Sequence, residues 1–181
     1  MFKIRAVRKE DWAQAKEIRL AALQDPLAKI AFIDQYESLV HKPDDFWRQR
    51  VAVAAEGKTI GQLIAEDAQG RWQATITLIV ELPGVESFED IPEVAQTHIV
   101  GVFVRPEARG TGLASQLLQE ALNWSWQLVE PSVERVHLWV HENNVRAESA
   151  YKRAGFIRTG RSCPFPGDSS FTEYELEVTR P

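Results

Sequence analysis

The stretch Val100–Leu118, V-G-V-F-V-R-P-E-A-R-G-T-G-L-A-S-Q-L-L, constrains the fold of this chain more than any other. An apolar run, Val100 to Val104, meets a proline turn. Arg109-Gly110-Thr111-Gly112-Leu113-Ala114 follows, and then an amphipathic run. The order reads as strand, glycine-rich loop, helix. Glycine has no Cβ, so its backbone can come close to a ligand. The first N–H groups of the helix have no intrahelical partner, and the helix dipole adds positive charge there. Such a junction is an anion site, with phosphate its usual guest.

Known phosphate loops can be compared with it. A P-loop needs a lysine after its last glycine, and Leu113 stands there instead. The dinucleotide fingerprint G-x-G-x-x-G/A begins at Gly110 and Gly112 but meets Ser115 at its third position. A turn that serves geometry alone is the plainer alternative.

Around this stretch the chain reads as a mixed α/β domain. Phe2–Ala6 alternates as a short strand, and Glu10-Asp11 open a helix that Asp25-Pro26 end. Residues 27–42 suggest a looser helix, and Pro43-Asp44-Asp45 starts another. Val51–Ala55 and Thr59–Glu66, joined by Glu56-Gly57-Lys58, read as a hairpin. Trp72–Val80 alternates as a strand with one wet face. From Glu81 to Gln96 the pattern dissolves into a loop holding Glu81, Glu86, Glu89, Asp90 and Glu93, a length uncommon outside functional or mobile segments. Past the central stretch a helix with Leu113, Leu117, Ala121, Trp124 and Leu128 on one face runs toward Pro131. Arg135–His141 is a strand, and a helix from Asn144 to Ala154 is closed by Gly155. Phe156–Arg161 and Phe171–Thr179 are strands around a loop at Cys163–Asp168.

The totals narrow the function. At 181 residues, 1–181 reads as one domain. The formal charge of −5 lacks the basic footprint of a nucleic-acid binder, so no nucleic-acid partner is expected. No apolar run is long enough to span a membrane, and the first residues lack the apolar core of a secretory leader. One cysteine, Cys163, forms no internal disulfide, which suits a reducing cytoplasmic setting. No metal-ligand spacing is present, so no metal is expected.

Two motifs in order carry a resemblance. Arg109-x-x-Gly112-x-Ala114, after Val102-Phe103-Val104-Arg105-Pro106-Glu107, resembles the [Q/R]-x-x-G-x-[G/A] loop and fourth strand of the GNAT (GCN5-related) N-acetyltransferases. Asn144, Ala147, Tyr151, Gly155 and Phe156 resemble that family's N-x-x-A-x-x-x-Y-x-x-x-G-F pattern. The element order agrees along nearly the whole chain, least in 27–50 and 67–97. The resemblance implies a mostly antiparallel sheet splayed after its fourth strand, with helices on both faces. It also implies acetyl-coenzyme A as cosubstrate. The amides of Arg109, Gly110, Thr111, Gly112, Leu113 and Ala114 would then bind the pyrophosphate. The Arg109 side chain would add a charged contact or lie solvated. The backbone of Val102, Phe103 and Val104 would pair with the pantetheine arm, as in strand addition. Gly101 would mark the opening bulge. Tyr151 would act as the acid toward the leaving sulfur, or pack on the sheet. Asn144 would contact the cofactor or only cap its helix.

Direct attack on a thioester needs a neutral amine, a fixed donor for the developing oxyanion, and an acid. A backbone N–H near Val102 would supply the donor. His98 is the candidate base, with Glu81, Glu66, His137 and His141 as rivals. Cys163 has no histidine nearby in sequence, against an acyl-cysteine route. The resemblance implies that acceptor specificity lies in 24–50, 81–97 and 162–170, whose acids and aromatic residues suggest a small amine acceptor, cationic in character, with a protein N-terminus or lysine as the alternative; it allows a monomer or homodimer. The other function class is an acyl-coenzyme A sensor without turnover.

Overall fold

The computed structural model describes residues 2–88 and 90–181; Glu89 of the acidic loop lies outside them. The chain runs β1 (Lys3–Ala6), α1 (Trp12–Leu23), α2 (Ala28–Ala31), α3 (Tyr36–Leu39), α4 (Asp44–Glu56), β2 (Ile60–Glu66), β3 (Trp72–Glu81) and β4 (Gln96–Val104). It continues through α5 (Leu113–Trp126), β5 (Arg135–His141), α6 (Val145–Arg153), β6 (Ile157–Phe165) and β7 (Asp168–Thr179). The seven strands form one sheet in the order β1-β2-β3-β4-β5-β7-β6, and every neighbouring pair is antiparallel except β4 and β5.

The two faces bury different helices. Leu113, Leu117, Leu118 and Ala121 of α5 pack with Ile76, Leu78, Val136 and Leu138 on one face. Ile18 of α1 and Val51 of α4 pack with Ile64, Trp72 and Phe103 on the other. Helix α5 lies close on β2. A Cβ at Gly61 would fall 2.6 Å from the Trp124 ring, so only glycine fits there.

The sheet opens at its parallel pair. Strand β4 pairs with β5 only from Gln96 to His98, after which the two diverge. On its other side β4 stays paired to β3 as far as Val104, through a bulge opposite Ile76. Gly101 sits in that bulge at φ +62, a conformation that side chains disfavour. The edge of β4 from Ile99 onward therefore faces a wedge rather than a strand.

Several expectations need correction. Val51–Ala55 is not a hairpin strand but the last turns of α4, where Trp47, Val51 and Ala54 are buried at helical spacing. Alternating valine and alanine is ambiguous between the two periods. Gly57, at φ +64, ends the helix in the left-handed conformation. Residues 27–42 hold two single turns, α2 and α3, rather than one helix. Helix α5 stops at Trp126, short of Pro131, and Val129 is 82% exposed. Cys163–Asp168 is not a loop, because β6 runs to Phe165 and β7 starts at Asp168. Pro164 is tolerated there because β6 is the edge strand of the sheet.

Candidate active site

The wedge between β4 and β5 opens into a cavity of about 1590 Å³. That exceeds the 300–1,000 Å³ common for one small ligand and leaves room for a cofactor and an acceptor together. Its lining includes Gly110, Gly112, Val102, His98, Tyr151 and Asn144.

At one end stands the glycine loop. Arg109 leaves a short 3₁₀ turn, Pro106–Ala108, and Gly112 starts α5 at φ +83. Of the expected donors, the Arg109 N–H is already committed to Pro106 C=O at 3.2 Å; none of the N–H groups from Gly110 to Ser115 donates to another described group, whereas Gln116 N–H already donates to Gly112 C=O. A Cβ at Gly110 or Gly112 would meet no protein atom within 4 Å. Protein packing therefore does not require glycine there, but the positive φ does. Six successive free donors in front of open space fit a pyrophosphate. Arg146 and Arg153 also line this cavity. Burial, and then the charge of Arg109, pull the Arg146 guanidinium below its usual range.

The Arg109 side chain is engaged elsewhere. Its guanidinium pairs with Asp25, which is nearly fully buried, and Nε donates to Val104 C=O at 2.9 Å. Arg109 thus ties the loop to the end of α1 and to the exit of β4. Val102 and Val104 are half-buried against the α5 core, while Phe103 is buried on the other face. Thr111 Oγ1 donates to Ala108 C=O at 2.7 Å, which closes the loop on itself. Asn144 caps α6, its side chain accepting from Ala147 N–H at 3.3 Å.

Deep in the cavity, His98 belongs to a buried polar network. Glu81 Oε1 accepts from His98 Nδ1 at 3.1 Å and from Ser87 Oγ at 2.7 Å. Glu81 Oε2 accepts from His137 Nε2 at 2.9 Å and from Gln96 Nε2 at 2.5 Å. His137 Nδ1 donates to Glu175 Oε1 at 2.9 Å, and Arg135 and Thr159 also donate to Glu175. An ionised carboxylate only accepts, so both rings donate toward it.

The charges follow from these bonds. Burial alone would push Glu81 up, but His137 and His98 outweigh it and hold its carboxyl well below the usual range. Glu175 is likewise held down to about 2 against burial, chiefly by His137, Thr159 and Arg135. Burial pushes His137 down, but Glu175 and Glu81 lift it above the ordinary histidine value. Against burial and the charge of His137, His98 has Glu81 and, more weakly, Glu175, and its pKa falls below the ordinary value. The network therefore holds a charged His137 and a neutral His98 around Glu81. The Nε2 of His98 makes no hydrogen bond to a described residue, and His98 lines the cavity. Phe88 lies edge-on to its ring at 4.9 Å.

Tyr151, 9% exposed, reaches the same cavity from α6. Its hydroxyl bonds to no described residue, and burial pushes its pKa up to about 12. It therefore stays a hydrogen-bond donor at any ordinary working pH. Glu66 lies outside the cavity, bound by Arg5 at 3.1 Å. His141 lines the cavity but packs edge-on against Phe165 and tilted against Phe171, and its Nδ1 accepts from Asn143 N–H. Cys163 is a free thiol whose pKa is raised by burial, an unpromising nucleophile.

Sequence reading missed Gln96 and Glu175 as partners of His137, because they stand on β4 and β7 while His137 stands on β5; Arg135, on the same strand as His137, joins the group through Gln96 and Glu175. The ligand atoms of Glu81, His98 and His137 lie within 4.8 Å of one another, a spacing a metal could use and one that no local motif displays. Each of those three atoms already has a hydrogen-bond partner inside the group.

Residues 12–156 match the family model described as the acetyltransferase (GNAT) family. A comparison with curated proteins found no match. Among solved structures, an acetyltransferase of the GNAT family from Streptococcus pneumoniae superposes with TM-score 0.75 at 16% identity, covering 99% of this chain and 100% of that one. A spermidine N-acetyltransferase from Vibrio cholerae, in complex with CoA and spermine, gives TM-score 0.71 at 16% identity over 98% and 95% of the two chains. NAA60 from Arabidopsis thaliana, in complex with a bisubstrate analogue, gives TM-score 0.72 at 19% identity over 100% of each.

Proposed function

Because the chain belongs to the GNAT acetyltransferase family, we propose that it moves an acetyl group from acetyl-coenzyme A to the primary amine of a small molecule. The observation that carries this reading is the meeting of three features in one cavity: the donor-lined glycine loop, the unpaired edge of β4, and neutral His98.

Acetyl-coenzyme A supplies an activated thioester. The N–H groups of Gly110 to Ser115 hold its pyrophosphate, with Arg146 and Arg153 as flanking cations. The open edge of β4 at Val102 and Val104 receives the amide-bearing arm as an added strand. His98 is the base. Its Nδ1 is held by Glu81, so its Nε2 lone pair takes the proton from the acceptor's ammonium. Glu81 orients the ring and steadies the positive charge that His98 gains. Tyr151 donates from its hydroxyl toward the leaving sulfur and strengthens that bond as charge builds there. A backbone N–H on β4 near Val102 is the donor for the charge that develops on the carbonyl oxygen. Asn144 lines the cavity as a helix cap. The lone free thiol of Cys163 suits a reducing cytoplasm.

The test is thiol release from acetyl-coenzyme A across a panel of primary amines, with products identified by mass. Release that requires an amine and matches N-acetylated product is expected. Tight binding of acetyl-coenzyme A with no amine-dependent release would overturn the reading.

A further inference from the structure

On the α1–α4 side of the cavity, Arg19 and Arg50 face the single carboxylate of Asp34, Asp25 being paired with Arg109. Arg19, on α1, reaches the β4 bulge: its Nη1 lies 3.8 Å from where a Cβ on Gly101 would be. Its Nη2 donates to Asp34 at 2.8 Å, and its guanidinium lies 4.8 Å from the Phe32 ring centroid. Its Nε is buried without a partner. Arg50, on α4, lines the same cavity, and no carboxylate among the described residues pairs with it. Arg50 is an exposed side chain. Partial desolvation, and then the charge of Arg19, pull its guanidinium below the usual range, opposed by Asp34.

The other charges in the cavity do not cancel this excess. Arg161 is committed to Asp90 at 2.9 Å. Glu81 has four donors already. Glu173, on β7, also lines the cavity, and burial raises its pKa to about 6. The cavity therefore has sides. A base and carboxylates stand on the sheet floor, and two guanidinium groups share one carboxylate on the α1–α4 wall. Guanidinium presents a planar fork that matches a carboxylate with two parallel hydrogen bonds. The buried, unpartnered Nε of Arg19 and the unpaired guanidinium of Arg50 leave donors in this cavity that a ligand carboxylate would fill.

We propose that the acceptor is an amine that also bears a carboxylate, and that Arg50, with Arg19 beside it, binds this carboxylate while the amine faces His98. The proposal rests on the acetyltransferase reading and names its substrate class. It differs from the cationic acceptor that the loop acids suggest. A polyamine would bring positive charge against Arg19 and Arg50, which is the repulsion that discriminates between acceptors.

The experiment compares amino acids with their own carboxamides as acceptors, with spermidine alongside, at saturating acetyl-coenzyme A. At least one acid should exceed its amide in kcat/KM by about tenfold or more, as loss of a charge-assisted pair implies. Arg50→Gln should reduce that acid-to-amide ratio by about tenfold, chiefly through the KM of the acid. Arg50→Lys, which keeps the charge without the fork, should retain part of the ratio. Arg50 has no ion partner to lose, so the Tm of Arg50→Gln should stay near that of the wild type. A preference for amides or spermidine, or a ratio unmoved in Arg50→Gln, would overturn the proposal and leave the acetyltransferase reading intact. Failure of every amine to release thiol would overturn both.

Discussion

Replacing Glu81 with glutamine should destabilise the protein out of proportion to one lost charge. The carboxylate receives four donors, two on each oxygen: Ser87 and His98 on Oε1, Gln96 and His137 on Oε2. A carboxylate has about four lone-pair sites, so all are used. Glutamine keeps the shape but turns one oxygen into an NH₂ group, which then faces two donors. Two charge-assisted bonds are lost, and the Glu81 and His98 side chains are only 3% and 7% exposed. Such bonds contribute about 1.5–3 kcal/mol each, and breaking a buried pair costs about 3–5 kcal/mol, so we expect a loss of about 3–5 kcal/mol. The sign of the pH dependence is fixed by His137. Its folded pKa is raised above the ordinary 6.5, so its stabilisation is full below 6.5 and fades as pH rises through the folded value. The deficit of Glu81→Gln should therefore be widest just below pH 6.5 and narrow at higher pH. Urea unfolding followed by circular dichroism, at about pH 6 and about pH 9, reads both. A deficit under about 1 kcal/mol, as for an exposed pair, or one equal at both pH values, would refute the network.

Other outcomes follow from the same geometry. Gly112→Val forces a β-branched residue to φ +83 and fills the space before the loop. Calorimetry should show coenzyme A affinity falling by about a hundredfold, with strain costing about 1–3 kcal/mol. Tyr151→Phe should lower kcat on the order of 10²-fold with little change in acetyl-coenzyme A affinity; a collapse of affinity would make Tyr151 a packing residue. Gly61→Ala would drive a Cβ into the Trp124 ring, so thermal or urea unfolding should show a loss of about 1–3 kcal/mol.

The glycine loop and the strand before it were legible because their information is local. Gly110, Gly112 and the capping Asn144 act through their own backbone geometry, and the sheet order follows from a recognisable element order. His98 was legible only as a residue type near a strand start. Its companions are brought to it by register, His98 opposite His137 across the one parallel pair and Glu175 a strand further away. Nothing local in Arg135–His141 or in Glu175 announces that meeting. Arg109 shows the reverse case. The motif suggests a phosphate contact or a solvated side chain, whereas the guanidinium is paired with Asp25, 84 positions away. Helix α4 was misread at Val51 because a run of valine and alanine fits both periods until Gly57 ends it.

The role of His98 as the base is the central claim, and the pH profile of kcat/KM tests it most directly. The folded pKa of His98 is lowered below 6.5, so the wild-type rate should be level near neutrality and fall only as pH drops below 6.5. His98→Gln should lose on the order of 10²–10⁴-fold at neutral pH and lose that acid limb. A His98→Gln enzyme that keeps the wild-type rate and acid limb would contradict the account.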